Sequence, residues 1–527
     1  MHSRFRRNAL FLALVCSTAG AAETNVPSLF QRVDPQRTSV VPMASYEEAD
    51  RIAVADLIQV YELARTNDPL LAQADANSLS IGEGVAQARS FLLPQVSGDY
   101  SWQNTDSDGS SQQFVDDPVP GFETFAFASD IDDKGWGVQL TQSIFSWTNW
   151  KNLDASRENA AASQFDYEAA ADSLLQRSAN VYFGVLRAKD NLAFAMADEA
   201  ALKRQLEQAE QRFEVGLSAI TDVEEARARY DAARATTITA RNVLDDAKVA
   251  VAELTGVPIE ELKPVRDELP LDPPQPADAR EWLQLANSSS PVILADQATV
   301  RAAEANVKAA RAGHYPTIDG FVNYQDGSSN GTRTLEGFDS PIDSEAQTTV
   351  YGLRVTVPLF TGGRTSSLTR QAIYQRDAAG NLLEQDRRAV LRSTVNSYRS
   401  AVAGVSSVEA RKQALRSAQA ALEATQAGFE VGTRTIVDVL IAQQALTQAY
   451  SLYAGARYDF ILNSLGLRTF AGVIERGDLE LINAQLDDNV PTVEELATRA
   501  LPEQRSILDT MEESQLIEDD LEDDGSD

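Results

Sequence analysis

The chain has 527 residues, a formal net charge of −32, one cysteine and two histidines. A polyanion of this size repels nucleic-acid phosphates, which excludes nucleic acid as a partner. With so few cysteines and histidines, the chain is not expected to form disulfides, His/Cys metal sites or a serine–histidine hydrolase site. No nucleophile–base pair can be assembled, so an enzyme is the least favoured class.

The first 21 residues have the pattern of a secretory signal peptide. Three arginines precede an apolar run at 9–15 and small residues at 19–21. Plain cleavage after this segment is favoured because a bulky valine precedes Cys16, but lipidation of Cys16 stays an alternative. Residues 22–48 show no periodicity and are predicted to be an irregular extension.

The rest of the chain is an internal duplication. Residues 213–226 return 216 positions later as residues 429–442, with eight of fourteen identical. Two strand-like segments repeat at similar offsets, which indicates two copies of one unit. The predicted units are 49–262 and 279–472, joined by a proline-rich linker at 263–278. Each unit reads helix, strand, loop, strand, very long helix, tip turn and return helix.

The strand-like segments alternate apolar and polar residues. Val96, Gly98, Tyr100 and Trp102 alternate with polar neighbours, as in a tilted membrane strand. A soluble sheet with one buried face would give the same alternation. The signal peptide and two long acidic segments, predicted as outer loops at 105–135 and 327–350, favour the outer membrane. Five aromatic residues at the loop ends are predicted to form a girdle at the membrane interface: Tyr100, Trp102, Trp136, Tyr324 and Tyr351.

Four strands per chain cannot close a membrane barrel, because the smallest known barrels use about eight. An open edge in lipid would leave backbone groups unpaired. Several chains must therefore share one barrel.

Two proline-free stretches, 149–212 and 363–428, are predicted to be helices of roughly 95 to 100 Å at 1.5 Å per residue. Their apolar residues recur at threes and fours, which is typical of coiled coils. A dimeric coiled-coil spacer would show the same pattern. Joined to membrane strands, such helices predict a tube that projects from the bilayer, with tip turns at 213–222 and 429–438. Residues 509–527 carry ten acids and no base, which predicts a disordered tail.

The segments 431–440 and 215–223 resemble the TolC family of outer-membrane efflux and secretion channels, and the resemblance covers about residues 53–472. It implies an α+β membrane protein of Gram-negative bacteria. Three identical chains share a twelve-strand barrel, and long antiparallel coiled-coil helices form a periplasmic tunnel closed at its tip. Residues 473–508 would form an equatorial segment outside the resemblance.

The resemblance also implies a function and partners. The channel would be a passive export duct without catalytic residues, metal or cofactor. It would contact outer-membrane lipid, a periplasmic membrane-fusion adaptor and an inner-membrane pump of the ABC, RND or MFS type. A trimeric surface fibre is the alternative, although such fibres keep their membrane strands at one terminus, whereas here strand pairs lie in both halves.

Site residues follow from the same resemblance. Arg434 matches the arginine that ties neighbouring coils at the closed tip, with Thr221 and Asp222 at the partner positions. Asp438 matches the first of two aspartates around the aperture. Two positions depart from the family pattern: Phe429 replaces a tyrosine and Ile441 replaces the second aspartate. The turns expected to meet the adaptor are Val215, Gly216, Leu217, Val431, Gly432 and Thr433.

Overall fold

The computed structural model describes residues 51–115, 121–266, 269–335 and 337–500. The predicted signal peptide, the extension at 22–48 and the acidic tail at 509–527 lie outside these residues. The strands are β1 (Ile52–Ala55), β2 (Gln95–Val115), β3 (Gly121–Phe145), β4 (Ile259–Leu262), β5 (Thr317–Leu335) and β6 (Phe338–Thr356). The helices are α1 (Leu57–Asn67), α2 (Pro69–Ser90), α3 (Trp147–Glu214), α4 (Ile220–Thr255), α5 (Ala279–Ser289), α6 (Pro291–Ala312), α7 (Arg364–Glu430), α8 (Ile436–Ala471), α9 (Arg476–Asn483) and α10 (Val493–Ala500).

Two long hairpins form one antiparallel sheet in the order β2-β3-β5-β6. The central strands β3 and β5 pair from Phe127↔Leu335 to Phe145↔Ile318, with an irregularity near Ser143. The outer edges belong to β2 and β6, so among the described residues each chain offers two unpaired strand edges to its neighbours.

The strands are much longer than predicted. The prediction of outer loops at 105–135 and 327–350 is wrong, because most of both segments is paired strand. Pairing of β2 with β3 continues to Val115↔Gly121, and pairing of β5 with β6 continues to Leu335↔Phe338. Beyond the predicted girdle the face of the sheet that carries Trp136 turns acidic, and the Asn104 amide donates to Asp130 at 2.9 Å and Asp132 at 3.2 Å. Such a face suits water rather than lipid, so the segment lacks a membrane-strand pattern although its backbone ladder continues.

The two longest helices, α3 with 68 residues and α7 with 67, span about 100 Å each at 1.5 Å per residue. The single helix predicted before each strand pair is in fact two helices. The break falls at Asp68–Pro69 and again at Ser290–Pro291, because proline lacks the amide that would continue the first helix and is well suited to begin the next. Among the described residues, no helix is both long and apolar enough to cross a membrane.

The main core lies midway along the helices, where Tyr182, Phe183 and Tyr458 pack together fully or almost fully buried. A parallel pair, β1 with β4, lies against this core and was not predicted. The linker at 263–278 has no helix or strand in its described part, and an isolated bridge from Val265 to Leu486 ties it to the C-terminal segment. The predicted equatorial segment at 473–508 contains α9 and α10 within its described part.

Candidate functional site

Both tip turns have the same backbone geometry. In the first, Gly216 has φ of 77° and the Leu217 amide donates to the Arg212 carbonyl at 2.8 Å. In the second, Gly432 has φ of 76° and the Thr433 amide donates to the Gly428 carbonyl at 2.8 Å. A glycine in the left-handed region followed by this bond is a Schellman helix end. The residues expected to meet an adaptor therefore lie together at two matching turns.

Asp438 belongs to a capping box at the start of α8. The Thr435 amide and hydroxyl donate to its carboxylate at 2.9 and 3.0 Å, and the Asp438 amide donates to the Thr435 hydroxyl at 3.3 Å. The Thr435 backbone and side-chain bonds, with the positive charge of Arg434, lower the pKa of Asp438. In the first repeat, the one bond to the Asp222 carboxylate among the described residues comes from the Ala219 amide, at 3.4 Å. The second tip is therefore the better capped of the two.

Ile441 lies three residues beyond Asp438 and is 55% exposed. Residues three apart on a helix share a face, so the apolar side chain lies beside the carboxylate. The roles of Asp438 and Ile441 at the aperture stay a prediction.

Arg434 lies against α7. Its amide donates to the Gly428 carbonyl at 3.1 Å, and a Cβ added at Gly428 would lie 2.8 Å from its Cγ. Within the described part of one chain, Arg434 forms no ion pair with Asp222 and no hydrogen bond with Thr221. Contacts of Arg434 with those residues therefore stay a prediction for neighbouring chains.

Phe429 packs between the two helical hairpins. It joins a cluster that includes Leu202 on α3 and Ile436 and Leu440 on α8. The guanidinium of Arg212, from the last turn of α3, lies over its ring at 4.8 Å from the centroid. Sequence reasoning missed Arg212, although the duplication held a signal: the position that matches Arg212 in the second copy is Gly428.

The girdle residues share one face of the sheet. Tyr100 lies opposite Trp136, Val138 opposite Tyr324, and Val322 opposite Tyr351, and paired residues lie on the same face. The rings of Trp136 and Tyr324 are 5.1 Å apart.

A second aromatic belt, also missed, lies where strands meet helices. The Lys151 ammonium lies over the Trp147 ring at 5.0 Å. Three further rings near this junction are exposed: Phe91, Trp150 and Phe360. From Trp136 to Phe145 the strand rises about 30 Å along its own direction and, at the usual tilt, about 22 Å across a bilayer. The two belts are therefore separated by roughly the height of a membrane barrel's apolar band.

A family model described as "Outer membrane efflux protein" matches residues 60–257 and 282–473. The chain belongs to the outer membrane efflux protein family. It is 35% identical to the outer membrane protein TolC of Escherichia coli over 460 residues, covering 86% of this chain and 90% of the relative. It is also 27% identical to the alkaline protease secretion protein AprF of Pseudomonas aeruginosa, covering 81% and 86%.

Solved structures agree on the fold. The CmeC outer membrane channel of Campylobacter jejuni matches with a TM-score of 0.65 at 17% identity, covering 82% of this chain and 90% of that one. The predicted fold class is confirmed: four strands per chain contribute to a shared trimeric barrel above a helical tunnel.

The predicted function and location are confirmed too. This family member is an outer-membrane channel of Gram-negative bacteria for efflux or type I secretion, with a large periplasmic tunnel. TolC-type channels are trimers that work with adaptor and inner-membrane pump proteins, and the family is one of transport channels. The surface-fibre alternative finds no support.

Proposed function

We propose that three copies of the second tip close this export channel at its periplasmic end. The capping box supports this proposal best, because it fixes the Asp438 carboxylate in place at the start of α8 and keeps it ionised. Three such carboxylates form one ring around the aperture, beside an apolar ring of Ile441. Apolar constrictions resist wetting, so the two rings together select cations and limit leakage.

Arg434 completes the closed tip. Its backbone is held on α7 through Gly428, and its side chain is exposed, so the guanidinium is free to reach Thr221 and Asp222 of a neighbouring chain. A charge-assisted bond of this kind is stronger than a neutral one. When the bond between Arg434 and the neighbouring chain breaks, the second hairpin is able to move outward and open the tip.

The exposed turns are the docking surface for a periplasmic membrane-fusion adaptor. Val215, Leu217 and Val431 are each about 70% exposed, at 69, 70 and 75%. Apolar residues that project from two matching turns suit helix-end contacts with a partner. An inner-membrane pump of the ABC, RND or MFS type supplies the energy, and the aromatic girdle anchors the sheet in outer-membrane lipid.

The aperture is tested by planar-bilayer conductance, with a trivalent cation complex titrated from the tip side. Asp438→Asn keeps an oxygen that accepts from Thr435 but removes the charge, so the blocking concentration should rise on the order of tenfold or more. Ile441→Asp should lower it by adding a second ring. Asp245→Asn is the control, because Asp245 is an exposed acid far along α4. Unchanged block in Asp438→Asn would remove Asp438 from the aperture.

A further inference from the structure

The contact between Arg212 and Phe429 joins the two repeats at their tips. Arg212 lies in the last turn of α3 in the first repeat, and Phe429 lies in the last turn of α7 in the second. The guanidinium carbon lies 4.8 Å from the ring centroid, well within the range of a cation–π interaction. Among the described residues, Arg212 forms no ion pair, so no carboxylate explains its position.

The surroundings of Arg212 also indicate that the Phe429 ring holds its side chain in place. Its Nε is buried and has no hydrogen-bond partner within the described part of the chain. A buried donor without a partner is unfavourable, so another interaction must hold the side chain where it is. The ring of Phe429 is that interaction. Movement of the hairpins apart would return the Nε to water, which makes the contact readily reversible.

The two copies of the repeat contribute differently to this contact, and the second copy has no arginine at the matching position. The second-copy position that matches Arg212 is Gly428, which leaves room for Arg434. The first-copy position that matches Phe429 is Phe213, which is 42% exposed. The first copy thus supplies the cation and the second supplies the partly buried ring.

We propose that the Arg212–Phe429 contact holds the first hairpin against the second within each subunit and so positions the second tip in the closed channel. Phe429 lacks the hydroxyl through which a tyrosine could donate a hydrogen bond. The face of its ring instead attracts the positive charge of Arg212. This inference rests on the proposed closure at the second tip, and the experiment below separates the two.

The test is a double-mutant cycle read by hydrogen exchange of the backbone amides at Thr433 and Arg434, in the purified trimer. Both amides donate to the Gly428 carbonyl, so their exchange reports opening of the second tip. Arg212→Gln removes the cation, and Phe429→Leu keeps an apolar side chain but removes the ring. Each should speed exchange roughly threefold or more, and the double variant should add little, because both changes remove the same contact.

Two further variants make the test specific. Phe429→Tyr keeps the ring face and should leave exchange near the unsubstituted rate. Arg204→Gln removes an exposed arginine on the same helix and should change nothing. Unchanged exchange in Arg212→Gln, or effects of the single changes that multiply in the double variant, would overturn the proposal.

Single-channel conductance of the same variants tests the closure separately. Faster exchange together with higher conductance supports both the contact and the closure at the second tip. Faster exchange with unchanged conductance supports the contact and refutes the closure.

Discussion

Gly428→Ala, compared with Gly380→Ala in the same helix, tests how Arg434 is positioned. Both glycines lie within α7, and an alanine in a helix interior is favoured over glycine by up to about 1 kcal/mol. At Gly380 a new Cβ would meet no atom of the described residues within 4 Å. At Gly428 it would lie 2.8 Å from the Arg434 Cγ and 3.2 Å from the Thr433 hydroxyl.

The steric cost at Gly428 decides the expected outcome. Crowding of this kind costs about 1–3 kcal/mol, and the Arg434 Cγ is close to the backbone, so it cannot swing away freely. Gly380→Ala should therefore slow hydrogen exchange in its own turn of α7. Gly428→Ala should speed exchange of the Thr433 and Arg434 amides and raise resting conductance as Arg434 shifts.

The assay is hydrogen exchange by mass spectrometry on the purified trimer, followed by bilayer conductance of both variants. If Gly428→Ala slowed exchange at Thr433 and Arg434, helix propensity would outweigh the contact and the reasoning on Arg434 would be refuted. Raised conductance in Gly380→Ala would show that the conductance change is not specific to the tip.

Two further predictions concern the helical body. Burial, and then the charges of Asp386 and Asp166, raise the pKa of Asp296 to about 6. The folded carboxyl therefore binds its proton more tightly than the unfolded one, so Asp296→Asn should stabilise the protein at pH 7, by at most about 1 kcal/mol after solvent screening. This gain should shrink as pH falls through 6 towards 4, because the carboxyl then becomes protonated in both states. Thermal unfolding of both proteins across this range checks it, and a gain independent of pH would contradict it. Gly472 has φ of 67°, and a Cβ there would lie 2.5 Å from the Ser289 carbonyl oxygen, so Gly472→Ala should lower the yield of folded trimer severely; a normal yield on a sizing column would contradict that.

Period-two alternation located the four membrane segments because lipid on one side and water on the other impose it. It failed beyond Trp136, where the acidic face around Asp130 no longer resembles a membrane strand. There the backbone ladder and cross-strand polar side-chain bonds maintain the strand, and the apolar pattern carries no record of them.

At the tips, too, the locally encoded features could be predicted from the sequence and the long-range contact could not. The duplicated turn around Gly216 and Gly432 was readable because a left-handed residue after a helix favours glycine. The spacing of Thr435 and Asp438, three residues apart, is that of a capping box and is likewise a local pattern. The contact between Arg212 and Phe429 was not, because 217 positions separate the two residues and only the packing of one hairpin on the other brings them together.

The sequence by itself determined the duplicated plan, the long helices, the tip turns and the family, because each depends on short-range periodicity or on motifs that repeat intact. Tertiary structure alone decided how far the strands extend, that β1 pairs with β4, and that Arg212 lies over Phe429. These features depend on which distant segments come within a few ångströms of each other, and no local pattern of side chains encodes that proximity.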